Sequence, residues 1–225
     1  MTVLGIVPLR ISSKRILIKN FQLLNGKHLY QYAVENLAEI GGIEKLVIIA
    51  DKIALRMVRL YGYPDKFTLI EEPEELARGD VMIEPVLAYA IKKVGGADIA
   101  LLRHATSPLI PSEYIKQCVK AVKKPYNSAF LVCEDRHQHW EYLQDTWIPC
   151  FDKRVLSQYR VPKYIETGGA YAFNVEPFLQ KMSVTVGPTK GIPIPEEYAI
   201  DIDEWHDLWV AETLMRKEIR GGENA

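Results

Sequence analysis

Apolar residues along this chain follow two alternating rhythms. Short unbroken runs, which suit strands buried on both faces, take turns with longer stretches repeating every three or four residues, which suit helices. Leu4-Gly5-Ile6-Val7 is the first run, and Pro8 is expected to end it. Leu29, Tyr32, Ala33, Leu37 and Ile40 recur at helical spacing, and Gly41-Gly42 closes that helix. A second strand is predicted over Lys45–Ala50, ending at Asp51, then a helix over Ile53–Tyr61 and a short strand over Phe67–Ile70. The acidic segment EEPEELARGD leads to a helix over about 83–94. Strand Asp98–Leu102 and the two-proline turn ATSPLIP follow. A helix then runs from an N-cap at Ser112 to Lys124, and Ser128–Cys133 is the next strand.

This βα alternation predicts an α/β fold, a mostly parallel sheet with helices on both faces. From Glu134 to Lys163 the rhythm fails: two Trp, three Tyr and a Phe occur between His137 and Tyr164 without a long periodic element. Aromatics outside a core element mark interfaces, so residues about 134–165 read as an excursion that docks on a partner subunit, or as a flap folded over the site. Ala170–Asn174 as a strand, a short helix near Pro177–Lys181, the segment Ala199–Asp203 and a helix over about 204–219 complete the chain. Residues 1–225 are expected to form a single domain, without internal repeats or linkers.

Composition adds exclusions. Net charge of −1 and a pI near 6.5 give no bulk attraction to nucleic acid or a membrane surface. The apolar runs are too short to span a bilayer, and Arg10 interrupts the N-terminus too early for a secretory signal. Cys118, Cys133 and Cys150 form no C-x-x-C pair and read as reduced thiols, so the cytoplasm is the expected compartment.

Candidate chemistry lies at loops that follow predicted strands. Arg10, Ser12, Ser13, Lys14, Arg15, Lys19 and Asn20 follow the first strand with no acid among them. At the C-terminal edge of a parallel sheet such donors suit a polyphosphate, and a solvated basic loop is the alternative. Asp201 and Asp203 would share one face of an extended segment, as a Mg²⁺ site at a phosphoryl-transfer centre requires, whereas a capping role for Asp203 would leave Asp201 solvated. His137 and His139 share a face but lack a third ligand, which favours a polar or interface role. His104, beside the turn after a predicted strand, reads as a hydrogen-bonding group at the ligand edge. Walker A, G-x-G-x-x-G, H-E-x-x-H and G-x-S-x-G motifs do not occur.

Taken together, these segments resemble the acylneuraminate cytidylyltransferase family, the synthetases of CMP-sialic acid and other CMP-nonulosonic acids. The match is carried by PLRISSKRILIKN, Gly26-Lys27 with Leu29, Ile49-Ala50-Asp51, Glu75-Leu76-Ala77 with Asp80, Thr106-Ser107-Pro108-Leu109, Glu166–Phe173, and Ile200–Asp203 with Asp207 and Ala211-Glu212. The resemblance implies a Rossmann-like nucleotide-diphospho-sugar transferase sheet with a small dimerisation excursion, and a homodimer. It implies CTP on Arg10, Ser12, Ser13, Lys14, Lys19, Asn20, Asp51 and Ala77. An acidic sugar would lie on His104, Thr106, Ser107, Glu166, Thr167, Gly168 and Tyr171, and Mg²⁺ on Asp201 and Asp203. Arg10, Lys14, Lys19 and Asp203 are the implied catalytic set. Alternatives are a transferase for another sugar acid such as a 3-deoxy-octulosonate, or an inactive nucleotide-binding relative. Departures cluster at a few positions: Ile11 and Ser12 replace usual glycines, Arg15 and Leu17 a small residue and a proline, Glu72 an arginine, His104 a glutamine, and Thr167 the pocket asparagine.

Overall fold

The first apolar run becomes the spine of the molecule because it is apolar on both sides. In the computed structural model, which describes residues 1–123 and 125–222, β1 spans Val3–Leu9. Val3, Val7 and Leu9 enter one core cluster, and Leu4 and Ile6 enter the cluster on the opposite face. After a basic loop and a short hairpin, β2 (Leu23–Leu24) with β3 (Lys27–His28), come α1 (Leu29–Glu39), β4 (Lys45–Ala50), α2 (Lys52–Tyr61) and β5 (Phe67–Glu71). Next come α3 (Ile83–Val94), β6 (Ile99–Arg103), α4 (Ser112–Lys123) and β7 (Ser128–Asp135). A hairpin of β8 (Trp140–Leu143) and β9 (Thr146–Pro149) precedes β10 (Lys163–Asn174), α5 (Val175–Lys181), β11 (Thr189–Ile194) and α6 (Trp205–Gly222). The predicted end of α4 at Lys124 lies outside the described residues.

Seven strands form one sheet in the order β11-β7-β10-β6-β1-β4-β5. β1 pairs parallel with β4 and β6, β4 with β5, and β11 with β7, while β10 runs antiparallel between β6 and β7. Residues of α1, α2 and α4 cover one face, and α3 and α5 cover the other. The expected mostly parallel α/β sheet with helices on both faces is what forms. No described helix is long and apolar enough to cross a membrane.

Four expectations change. Pro8 lies inside β1 opposite Ile49, because pairing with β6 has ended at Ile6 and the ladder there can spare a donor. The aperiodic stretch holds the β8–β9 hairpin, which turns through Gln144 (φ 49°) and Asp145 (φ 60°). All eight of its strand residues are exposed, so no buried face imposes an apolar alternation. β10 begins at Lys163 rather than Ala170, with a register shift between Glu166 and Tyr171. β11 was not anticipated from its sequence, since Pro193 and Gly191 are weak strand formers that an edge position tolerates.

Candidate active site

The ends of β1, β4, β5, β6 and β10 define the site, and a small apolar cluster ties its two halves together. Ile16 of the basic loop and Ile202 between the two aspartates are fully buried, packed with Leu24, Leu29, Leu208 and Ala211. Burying two such side chains contributes on the order of 4 kcal/mol, enough to fix the loop against the acidic segment. Consequently Lys19 Nζ donates to Asp203 Oδ1 at 2.8 Å across 184 residues of sequence. Arg15 Nη2 adds a second ion pair to Asp203 Oδ2 at 2.6 Å. Partial burial pushes the Asp203 carboxyl up, but the Lys19 and Arg15 contacts outweigh it and hold it below the usual carboxylate range. Capping falls to another residue: Asp207 Oδ2 accepts from the backbone N–H of Asp203 and Glu204 at the start of α6. Asp201 is exposed and accepts a 3.3 Å hydrogen bond from Ser107 Oγ.

On the β1–β4 side the loop is held by backbone bonds. Asp51 Oδ1 accepts from Ile53 N and Ala54 N to cap α2, and Oδ2 accepts from Ile11 N at 2.9 Å. Asp51 therefore shapes the loop, with both oxygens already engaged. Asn20 Nδ2 donates to the Arg10 carbonyl, and Arg10 Nη2 donates to the Val81 carbonyl at 2.8 Å, which links the loop to the stretch between β5 and α3. Ser12 and Lys14 are exposed and Ser13 is half-buried, free to face a ligand. Ala77 lies in the turn after β5, where its N–H donates to the Pro73 carbonyl. A cavity of about 220 Å³, lined by Pro8, Arg10, Asn20, Ile83, His104, Ala105 and Thr106, opens between the ends of β1 and β6.

The β6–β10 side depends on a residue the sequence reading did not single out. Arg103, fully buried, donates from Nη1 to the carbonyls of His104 and Gly169 and from Nη2 to that of Ser107 at 2.6 Å. It thereby clamps β10 and the Thr106–Leu109 turn to the end of β6. Burial lowers its pKa to about 10, with Asp201 opposing the fall, so the guanidinium stays charged. Ile202 N donates to the Thr106 carbonyl at 2.7 Å, which seats the acidic segment on the same turn. Burial, followed by repulsion from Arg103, Arg10 and Lys19, lowers His104 to about 4 and keeps its ring neutral at pH 7. Gly168 (φ +73°) carries β10 past Asp201, and Tyr171 donates its hydroxyl proton to Glu166. Thr167 is buried, its Oγ1 donating to the Leu131 carbonyl at 3.3 Å. A second cavity of about 370 Å³ lies beside Phe130, Val132, Tyr164, Glu166, Gly191 and Pro193.

Set against known proteins, residues 4–159 match the family profile for cytidylyltransferases. The chain belongs to the cytidylyltransferase family. Two pseudaminic acid cytidylyltransferases from strains of Campylobacter jejuni subsp. jejuni are each 24% identical over 222 residues, covering 95% of this chain and 96% of theirs. The fold matches CMP:2-keto-3-deoxy-manno-octonic acid synthetase complexed with CTP at a TM-score of 0.70 and 15% identity, covering 97% of this chain and all of that one. It also matches 4-diphosphocytidyl-2C-methyl-D-erythritol synthase from Anaerococcus prevotii at 0.70 and 12% identity, with 96% of each chain covered.

Within this cytidylyltransferase fold, Arg10, Lys19, Asn20, His104, Thr106, Ser107, Asp201 and Asp203 gather around the ends of β1 and β6. Glu166, Thr167, Gly168 and Tyr171 lie along β10 beside them. His137 and His139 stand apart at the start of the excursion, where Asp135 receives the His137 backbone N–H and lies 2.7 Å from a ring nitrogen of each. No group of three or more His, Cys, Asp or Glu among the described residues is arranged to hold a metal ion. Arg103 is the site residue that sequence reasoning passed over, although it left a signal as a lone charge closing an apolar strand, IALLR. Arg15 was read only as one donor of the basic loop and Asp207 only as part of the closing motif, without their contacts to Asp203.

Proposed function

We propose that this cytidylyltransferase joins CMP from CTP to a nonulosonic acid, with release of pyrophosphate. The observation that carries the reading is the Lys19–Asp203 contact, which joins a phosphate-type loop to a carboxylate pair beside the ends of β6 and β10. Kinship to pseudaminic acid cytidylyltransferases supports an acidic nine-carbon sugar as the acceptor class.

In this reading the anomeric oxygen of the sugar forms a bond to the α-phosphorus as the bond to the β-phosphate bridging oxygen breaks. Pyrophosphate departs with that electron pair, and the hydroxyl proton passes to solvent. Arg10, Lys14 and Lys19 neutralise the triphosphate and the charge that grows on the leaving group. Asp201 and Asp203 supply hard oxygen ligands, a donor set that fits Mg²⁺ with phosphate oxygens and water completing it. Such an ion would polarise the α-phosphate and acidify the attacking hydroxyl. Arg15 and Lys19 are paired with Asp203, and were that carboxylate to hold Mg²⁺ both cations would be available to phosphate oxygens. Neutral His104 can donate or accept a hydrogen bond without adding charge, and Thr106, Ser107, Glu166, Thr167 and Gly168 bound the sugar side.

The exposed Trp140, Tyr142, Leu143, Trp147 and Ile148 of the β8–β9 hairpin support its role as a dimerisation arm, and we expect a homodimer by analytical ultracentrifugation. The experiment that tests the activity is pyrophosphate release with CTP and Mg²⁺ across a panel of nonulosonic acids and 3-deoxy-octulosonate, with ATP, GTP and UTP as controls. CTP-specific release with a nine-carbon acid is the expected result; CTP binding without release from any acid would favour an inactive relative.

A further inference from the structure

Among the described residues, Glu72 is the one buried carboxylate with an oxygen that its surroundings leave unsatisfied. It follows β5, where its N–H donates to the Ala50 carbonyl at 3.0 Å and so sets it beside Asp51. The residue is 5% exposed, and its Oε1 is buried without a hydrogen-bond partner. A buried polar atom left unpaired costs about 1–3 kcal/mol, so this carboxyl is built either for a ligand or at a loss. Its charged neighbours already have partners of their own: Asp51 accepts three backbone N–H groups, and Nη2 of Arg10 donates to the Val81 carbonyl. With the triphosphate on the loop after β1 and the sugar on the β6 side, the base falls toward the ends of β4 and β5.

Resting on that placement of CTP, we propose that Glu72 binds the cytosine edge as a neutral acid, donating its O–H to ring N3 and accepting from the exocyclic amine. A protonated carboxyl offers one donor and one acceptor, which is the complement of that edge, whereas a carboxylate offers acceptors only and opposes the N3 lone pair. Two charged groups act on Glu72: Arg10, from the loop after β1, favours ionisation, and Asp51, at the end of β4, opposes it. Burial outweighs both and raises the carboxyl to about 7, so the acid form is available at neutral pH. Binding CTP then draws a proton onto Glu72.

The test is calorimetric titration of CTP, without sugar, into wild type, Glu72→Gln and Glu72→Met between pH 6 and 8.5, in buffers of differing ionisation enthalpy. The glutamine amide presents the same donor and acceptor but cannot titrate, so titration of the triphosphate itself cancels in the comparison. Relative to Glu72→Gln, wild type should lose affinity by about tenfold per pH unit above pH 7 and take up as much as one extra proton on binding. Glu72→Met should bind CTP at least about tenfold more weakly at pH 6. Thermal melts establish that each variant is folded, and Glu72→Gln alone decides the proton count if the methionine is not tolerated. Parallel pH profiles and equal proton uptake in wild type and Glu72→Gln would overturn the assignment while leaving the CTP site intact. Absence of CTP binding by folded wild type at every pH would overturn both.

Discussion

The two halves of this sheet edge solve the same positioning problem with opposite materials. On the β1–β4–β5 side, cations and hydroxyls stand in loops at the surface, steadied by backbone bonds to Asp51 and Asn20. On the β6–β10 side, a single fully buried guanidinium reaches three carbonyls and holds a turn and a strand around them. The first arrangement can adapt to a flexible, highly charged polyphosphate, since a cation moved by an ångström still attracts it. The second fixes backbone, as selecting one sugar acid by shape requires. Removing a group from the first half should therefore cost activity with little stability, and removing one from the second should cost both.

Asp203→Ala is the largest expected loss. We expect kcat to fall by at least about three orders of magnitude, on the order of 4 kcal/mol, with the melting temperature nearly unchanged because the carboxylate is partly exposed. Steady-state pyrophosphate release beside a thermal melt checks both halves of that statement; near-normal kcat would overturn the proposed metal role of Asp203. Arg103→Met should do the reverse in kind. It leaves the carbonyls of His104 and Ser107 without their Arg103 donor inside the protein and that of Gly169 with only the His104 N–H, and we expect denaturant unfolding to show a loss of about 3 kcal/mol or more. A stability within about 0.5 kcal/mol of wild type would mean that the clamp is dispensable.

Glu72 breaks the symmetry of the comparison, being a buried group on the otherwise exposed side. Its carboxyl is raised from 4.5 to about 7 by burial, so below pH 4.5 the folded and unfolded chains are both protonated and the group is neutral to stability. As pH rises toward 7 the unfolded chain releases this proton while the folded one keeps it, and folding is penalised by a growing amount that levels off near 3 kcal/mol. Glu72→Gln cannot titrate. Its stability advantage over wild type should therefore increase by about 3 kcal/mol between pH 4.5 and pH 7.5, read from urea unfolding at each pH. A constant difference across that range would show that Glu72 ionises freely in the folded protein.

The two halves also differed in how well they could be read from sequence. The basic loop announced itself because seven donors lie within eleven residues, and Asp201 and Asp203 because they are two apart. Helices α1, α2 and α3 were legible within a residue or so, since each buries one stripe against the sheet. Hidden features depended on partners distant in sequence. Arg103 acquires its role from carbonyls delivered by β10, and Arg15 its contact from Asp203. β8, β9 and β11 lack a buried alternating face or a favourable composition, so the period-2 signal had nothing to act on. Pro8 misled because a proline is excluded from a ladder only where its donor is needed.

The smallest effect is also the sharpest probe of the fixed half. Gly169 sits where β10 passes the Thr106–Leu109 turn, and a Cβ there would lie 2.1 Å from Ile110 Cδ1 and 3.1 Å from Ser107 Cβ. The isoleucine methyl can turn aside, but the Ser107 Cβ is carried by a backbone that Arg103 holds through its carbonyl. Gly169→Ala should thus cost about 1–3 kcal/mol and raise KM for the sugar acid more than KM for CTP. Adding Ile110→Val deletes the Cδ1 in the closer contact. If that contact sets the cost, the double variant recovers most of the stability. If the rigid turn sets it, stability returns only in part and the sugar KM stays high, because Ser107, with its bond to Asp201, remains displaced. An equal rise in both KM values would mean that the two halves move together, and that the clamp at Arg103 positions the nucleotide as well as the acceptor.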